Sequence, residues 1–221
     1  MKVANIIVFD LESGGFLTKE HTHGLCEIAM IAIDANTLEE LGRYEAIIAP
    51  YKTFSGELTT YTEGALAING LTMAKIEAGK DPKLVAREIV AFAKEHKIGG
   101  RNGAPLLAGH NIRGFDLPYL TQFMEIHAKD LYKSFSRDYI DTLMFTRLMW
   151  AEDGSILNHK LGTACSKAGV ELEDAHRAMA DTEANAELLK VFLKNMRGSG
   201  GPMQSDELVT DDRKYREKFT F

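Results

Sequence analysis

Near its start the chain reads "IIVFDLESGG": four apolar residues run into Asp10 and Glu12, then Ser13 and two glycines. Alternate side chains of a β-strand share a face. Ile6, Val8, Asp10 and Glu12 therefore project to one side, and Ile7, Phe9 and Leu11 to the other. Both faces are apolar up to residue 10, the pattern of a central strand covered on both sides. At the end of such a strand neither acid ionises cheaply without a cation or strong donors beside it. Either the strand surfaces at Asp10 and the acids are solvated turn residues, or the two carboxylates have partners elsewhere. Residues 6–15 alone leave both readings open.

The chain is long enough to cover a strand on both faces. Its 221 residues, 45% of them hydrophobic, fit one globular domain of ordinary size. No apolar run approaches the roughly 20 residues that span a bilayer, and the N-terminus has neither the h-region nor the cleavage site of a signal peptide. The expectation is a soluble, cytoplasmic protein with no membrane partner. Cys26 and Cys165 are too few for a disulfide framework and sit in apolar segments, where buried thiols are common. The formal net charge of −6 argues against holding nucleic acid through a broad basic surface, and leaves open an enzyme that grips only a strand end.

Residues 26–34, "CEIAMIAID", and 43–49, "RYEAIIA", read as two further strands joined through a turn near Asn36 and Gly42, which predicts antiparallel pairing. "TEGALAINGLT" reads as a short helix ending near Asn69 and Gly70, residue types that favour a left-handed cap. In "DPKLVAREIVAFAKEH" Asp81 caps, Pro82 takes the first turn, and Leu84, Val85, Ile89 and Phe92 form one stripe predicted to face the core. "PLLAG" is a short buried strand leading through His110 and Asn111 into a helix from near Asp116, with Leu117, Leu120 and Met124 inward. "DYIDT" is a fifth strand ending at Asp141; helices follow to about Trp150, across "LGTACSKAGV", and from about Ala178 to Met196. The predicted fold class is α/β, a mixed five-stranded sheet flanked by helices. From Arg197 onward a glycine-serine stretch and dense charges mark a flexible or docking tail, so the expected division is one domain over 1–196 and a tail over 197–221. "QSDELV" in that tail faintly matches a peptide that binds a replication clamp, but its spacing and hydrophobics fit poorly, and a solvated tail is the expectation.

Three separate segments place acids where elements begin or stop: "FDLES", "GHNIRGFD" and "HRAMADTEAN". Singly they are weak, since Asp116 reads as a helix-start residue, Asp181 as a helix-surface acid and His176 as a loop or core histidine. Together, in this order on this strand pattern, they resemble the DEDDh (DnaQ-like) exonucleases. In that family an Asp-x-Glu on the first strand corresponds to Asp10 and Glu12; an Asp near a His-Asn pair corresponds to Asp116; and a His followed five residues later by Asp corresponds to His176 and Asp181. The spacing in "GHNIRGFD" is one residue longer than the commoner form. The resemblance covers roughly residues 5–195 and looks closest to RNase T and proofreading exonuclease subunits, in which stretches like "EGALAINGLT" and "YIDT" recur.

The resemblance implies an RNase H-like fold and a two-metal-ion 3′–5′ exonuclease. In-line hydrolysis of a phosphodiester needs both the attacking and leaving oxygens stabilised, which two Mg²⁺ ions about 3.5–4 Å apart achieve. Hard cations take oxygen ligands. By the resemblance Asp10 bridges both ions, Glu12 and Asp181 hold the one carrying the attacking water, and Asp116 reaches the other; Mn²⁺ can substitute. His176 is then the free base, imidazole being the side chain suited to exchanging a proton near neutral pH. Ser13, Gly14 and Gly15 let backbone approach a terminal sugar, and Phe16 stands where RNase T-like enzymes stack an aromatic on a base. Asn69 either lines the same groove or only caps its helix. His21 and His23, in a polar loop, read as solvated and not as a zinc site.

The expected substrate is a single-stranded nucleic acid 3′ end, DNA ahead of RNA because obvious basic RNA-binding segments are missing, with nucleoside 5′-monophosphates as products. The alternatives are an RNA-trimming exoribonuclease of RNase T type and a non-catalytic binding module attached to a polymerase; loss of a motif residue would favour the latter, and all five are present. An Asp-x-Asp phosphatase is opposed by Glu12. RNase T-like relatives are dimers whose partner supplies basic residues; this chain has no comparably dense patch, which leaves a homodimer open, as it does a replication or repair partner bound through the tail.

Overall fold

The computed structural model describes residues 4–16, 23–99, 103–128, 130–173 and 175–199. Three strands come first, β1 (Ile6–Ser13), β2 (Leu25–Ile33) and β3 (Glu40–Ile47), and three helices follow, α1 (Glu63–Asn69), α2 (Met73–Glu77) and α3 (Pro82–Glu95). Then come β4 (Leu106–Gly109), α4 (Asp116–His127), β5 (Tyr139–Asp141), α5 (Thr142–Met149), α6 (Leu161–Ala168) and α7 (Ala178–Ser199). The sheet order is β3-β2-β1-β4-β5. β1–β2 and β2–β3 pair antiparallel, while β1–β4 and β4–β5 pair parallel. This is the expected mixed five-stranded sheet, with β1 at its centre.

The alternation read from β1 separates two cores. Ile7, Phe9 and Leu11 pack with Val85, Ile89, Leu117 and Leu120 of α3 and α4, while Ile6 and Val8 pack with Ala186 and Leu189 of α7. Asp10 and Glu12 therefore lie on the α7 side, where that helix begins. They do not belong to a turn. β1 continues to Ser13, pairing Asp10 with Ala29 and Glu12 with Glu27, which removes the solvated-turn reading. Past Glu12 the register slips so that Ser13 pairs with Leu25, an irregularity of the kind that bends a strand and re-aims side chains beside a site.

Several local expectations are corrected. The turn after β2 closes within residues 34–39, where the Asp34 carboxylate accepts from the amides of Asn36 and Thr37; Gly42 lies inside β3, which starts earlier than expected. Of the α3 stripe, Val85, Ile89 and Phe92 are buried but Leu84 is exposed, because the buried arc turns through Ala86 and Ala93 instead. α2 was not expected; Thr72 caps it and Ile76 anchors it. α7 runs past Met196 to Ser199, and Arg197 donates to the carbonyls of Ala35 and Asn36, tying this last turn to the β2–β3 connection. Residues 200–221, with the clamp-like "QSDELV", lie outside the described residues, as does His21. Both cysteines are buried. Among the described residues, no helix is long and apolar enough to cross a membrane.

Candidate active site

In a sheet with parallel strands, sites gather beyond the carboxyl ends of those strands, where the chain order changes direction. Here β1, β4 and β5 run in the same direction, β1 extending past β4, and each supplies an acid at or after its end. Asp10 and Glu12 close β1. The four-residue β4 is followed by a turn through His110 and Asn111, the latter at φ 61°, that delivers Asp116 to the first turn of α4. Asp116 is buried, and the nearby amides of Leu11 and of its own residue favour its charged form against that burial, which sets its carboxyl beside β1 beyond the last residue that β4 pairs. The longer "GHNIRGFD" spacing is absorbed by this turn.

Asp141 ends β5 as expected, and its Oδ1 accepts from the amides of Asn111 (2.8 Å) and Leu143 (3.1 Å), so it caps α5 and holds the turn before Asp116. His110 secures the same turn from beneath. Its Nδ1 lies 2.9 Å from the Thr142 hydroxyl and its Nε2 2.8 Å from the His159 carbonyl.

The fourth acid and the histidine arrive on α7. Asp181 sits in its first turn and accepts from the backbone amide of His176 at 3.0 Å. His176 is exposed with φ 70°, a left-handed backbone that costs a residue with a Cβ roughly 1–2 kcal/mol. One ligand atom from each of Glu12, His176 and Asp181 falls within 4.8 Å of the others.

The electrostatics connect this trio to the other two acids. Burial, then the charges of Asp116, Asp181, Glu12 and Glu27, hold the Asp10 carboxyl well above the usual carboxylate range. Burial and the neighbouring acids Asp181, Glu27 and Asp116 push Glu12 up to about 8, against a smaller opposing pull from Arg177. Burial raises Asp116 to about 7 despite its amide donors, and burial raises Asp181 although the His176 amide opposes it. Four acids with raised pKa values mark a site short of positive charge. Arg177, the cation that acts on Glu12, is itself engaged by Glu27. An all-oxygen set of crowded carboxylates beside one imidazole fits hard divalent cations, which would supply the missing charge.

The proposed substrate-side residues fall around the same strand end. Phe16 is 76% exposed and meets Phe115 edge-on at 6.0 Å between ring centres; Phe115 in turn leans on Tyr119 at 5.1 Å. The glycines answer to packing. A Cβ at Gly14 would stand 2.6 Å from the Thr60 carbonyl oxygen and 2.7 Å from the Tyr61 ring, and one at Gly15 would stand 2.6 Å from the His23 ring. Ser13 is buried, its hydroxyl donating to the Gly15 carbonyl at 2.7 Å, and the Tyr119 hydroxyl donates to that same carbonyl. Asn69 is buried too. Its Nδ2 donates to the Ser13 carbonyl at 3.4 Å and its Oδ1 accepts from Leu71 at 3.1 Å, while Gly70 takes the left-handed cap. Asn69 thus braces the strand end. His23 Nδ1 lies 2.9 Å from the Thr60 hydroxyl.

Sequence reading missed Glu27 and Arg177. Glu27 is buried near the start of β2, accepts two hydrogen bonds from Arg177 and one from the amide of Ala178, and stands opposite Glu12. The available signal was a lone acid inside "LCEIAMIAI", an otherwise wholly apolar strand. Phe115 and Tyr119 were missed as well, though Phe115 immediately precedes Asp116.

Comparison with known proteins agrees with this geometry. The RNase_T family model, described as an exonuclease family, matches residues 7–189. Curated relatives include the PolC-type DNA polymerase III of Streptococcus thermophilus (strain ATCC BAA-491 / LMD-9), 30% identical over 217 residues, and that of Bacillus subtilis (strain 168), 28% identical over 198 residues. The matches cover 96% and 88% of this chain but only 13% and 12% of those polymerases. Among solved structures, E. coli exonuclease I in complex with a dT13 oligonucleotide is similar with a TM-score of 0.68 at 19% identity, covering 98% of this chain and 46% of that one. A 3′-exonuclease that recognises the histone mRNA stem-loop is similar with a TM-score of 0.66 at 15% identity, covering 86% of this chain and 82% of that one. With the family model matching from β1 into α7, this chain belongs to the RNase T-type exonuclease family of metal-dependent nucleases.

Proposed function

We propose that this chain removes nucleotides from the 3′ end of single-stranded nucleic acid, DNA ahead of RNA, and releases nucleoside 5′-monophosphates. The observation that carries the reading is the convergence of Asp10, Glu12, Asp116 and Asp181 at the end of β1 with the amide of His176 on Asp181. Asp10, Glu12, Asp116 and Asp181 would hold two Mg²⁺ ions, with Mn²⁺ able to substitute, which when bound stabilise charge on the attacking and leaving oxygens. His176 in its neutral form takes a proton from the attacking water, and its exposure lets the ring return that proton to solvent. Phe16, backed by Phe115, offers a face to the terminal base, and the Ser13–Gly15 backbone, braced by Asn69, forms the rim against which the terminal sugar rests.

The polarity follows from what that rim meets. A 3′-phosphate would bring a further dianion against carboxylates that already repel one another, and a circle offers no end to seat. The PolC-type relatives carry the matching segment inside a DNA polymerase, which supports DNA as the polymer and a replication or repair partner. The histone mRNA 3′-exonuclease supports the second reading, RNA trimming, because this chain spans most of that protein. All five site residues come from one chain, and a homodimer of the kind RNase T-like relatives form would add basic residues beside them.

The test is degradation of matched 5′-labelled DNA and RNA oligomers with Mg²⁺ or Mn²⁺, with free and 3′-phosphorylated ends, beside a circular strand. Shortening from the free 3′ end, blocked by the 3′-phosphate and absent on the circle, is expected. Rapid nicking of the circle would refute an end-gripping enzyme, and faster loss of RNA would reverse the order of polymers. No cleavage with either metal would favour the non-catalytic binding module.

A further inference from the structure

Glu27 is difficult to explain by stability. It is 4% exposed, lies in a strand whose other residues are all apolar, and faces Glu12 directly across the β1–β2 pair. Like charges opposite one another in a sheet repel, and an apolar residue would fill a buried strand position without desolvating a charge. Its three hydrogen bonds show what it holds. Arg177 Nε donates to Oε2 at 3.1 Å and Arg177 Nη2 to Oε1 at 2.7 Å, while the amide of Ala178 donates to Oε2 at 3.2 Å. Two consecutive residues immediately after His176 are thus fastened to a buried residue of β2.

His176 needs such an anchor. Its backbone is left-handed, its side chain is exposed, and its amide is spent on Asp181. The direction of the imidazole relative to Glu12 and Asp181 is therefore set by the peptide planes on its C-terminal side. Arg177 suits this work because its planar fork meets a carboxylate through two parallel bonds and fixes an orientation, which a lysine cannot do.

We propose that Glu27 and Arg177 form a clamp that positions His176 for proton transfer, so that Arg177 is a positioning residue and not a contact for the substrate's phosphates. The proposal rests on the reading of His176 as the base. A base displaced by about 1 Å can lose on the order of 10²-fold in rate while substrate and metal still bind.

The experiment measures kcat and KM on a dT oligomer with Mn²⁺, and Mn²⁺ affinity by calorimetry, for Arg177→Ala, Arg177→Lys, Glu27→Gln, His176→Ala and the Arg177→Ala/His176→Ala double variant. Arg177→Ala should lower kcat by about 10- to 100-fold with KM and Mn²⁺ affinity within about twofold of wild type, and Arg177→Lys should fall between the two. In the His176→Ala background Arg177→Ala should cost nothing further, because a clamp has no effect once the group it positions is gone. Should Arg177→Ala not fold, Arg177→Lys alone and combined with His176→Ala gives the same comparison. A rise in KM at unchanged kcat would make Arg177 a phosphate contact and overturn the clamp. Independent, multiplying losses in the double variant would overturn it too while leaving the base reading intact. Wild-type turnover by His176→Ala would remove the base reading itself and the clamp with it.

Discussion

Asp10 and Asp116 hang from the most buried part of the molecule: β1 is paired along both edges, and the helix that Asp116 opens turns Leu117, Leu120 and Met124 into the core. His176 stands on an exposed turn, tied down through its own amide and through the two residues after it. At the strand end the core dictates geometry, and the difficulty is charge. At the turn charge is easily solvated, and the difficulty is geometry. The division suits the two tasks, since acids that gather cations must stay close despite repulsion, whereas a base that exchanges a proton with solvent in every cycle must remain accessible.

Substitutions should separate the two regions. Asp10→Asn is expected to show the largest effect, losing turnover and Mn²⁺ binding together, because its carboxylate feels every other acid of the cluster. It should also melt higher than wild type in EDTA, since one of several mutually repelling charges is gone. An Asp10→Asn protein that kept either turnover or Mn²⁺ affinity would dissolve the contrast. Next comes His176→Ala, expected to slow turnover by roughly 10²- to 10⁴-fold with Mn²⁺ affinity retained. If calorimetry found its Mn²⁺ affinity as low as that of Asp10→Asn, the imidazole would belong with the ligands and the turn would be part of the strand-end cluster.

A smaller effect is expected beyond both regions, at Phe16. Stacking on a base contributes about 1–3 kcal/mol, so Phe16→Ala should raise KM for a short oligomer by roughly five- to 150-fold with little change in kcat. Because the ring is exposed and, among the described residues, meets Phe115 edge-on, melting temperature should not move. A fall in kcat at constant KM would show that the ring aligns the scissile bond instead of holding the base.

The same contrast explains what could be read in the sequence. Alternation in β1 assigned Ile7, Phe9 and Leu11 to one core and Ile6 and Val8 to the other, because period-two burial is a local property of a strand. The five motif residues were legible because their types and order are those of a family, and the strand pattern put three of their segments at element ends. The Glu27–Arg177 pair was not legible, since its partners are 150 positions apart and meet only when α7 lies across β2. Gly14 and Gly15 are expected to let the backbone approach a sugar, and on the side where a Cβ would stand it is Tyr61 and His23 that come close; a glycine reports that something is close without saying what. Leu84 shows the limit of a helical stripe: small alanines carried the buried arc, and the leucine at its margin stayed exposed.

The smallest expected effect is on stability, and it isolates the charge of the strand end from the rest of the protein. Unfolded carboxyls ionise near pH 4, whereas in the folded chain Glu12 holds its proton to about 8, Asp116 to about 7, and Asp10 and Asp181 are raised as well. Over the interval between those values the folded state binds more protons than the unfolded one, so in EDTA these groups make stability fall as pH rises. Buried His96 and half-buried His110 and His127, whose pKa values desolvation lowers, act in the opposite sense, but only until unfolded histidine has lost its proton near about pH 6.5. From about pH 7 to 8 the carboxyls therefore stand alone, and melting temperature in EDTA should decline, by about 2–4 °C for each kcal/mol in a chain of this size. Millimolar Mn²⁺ should raise melting temperature most at the upper end, where the acids it would bind are ionised, and so flatten the decline. Asp10→Asn should flatten it without metal, while His176→Ala should keep it. A wild-type melting temperature that is constant or rising from pH 7 to 8 in EDTA would mean that the acids at the end of β1 are not short of positive charge.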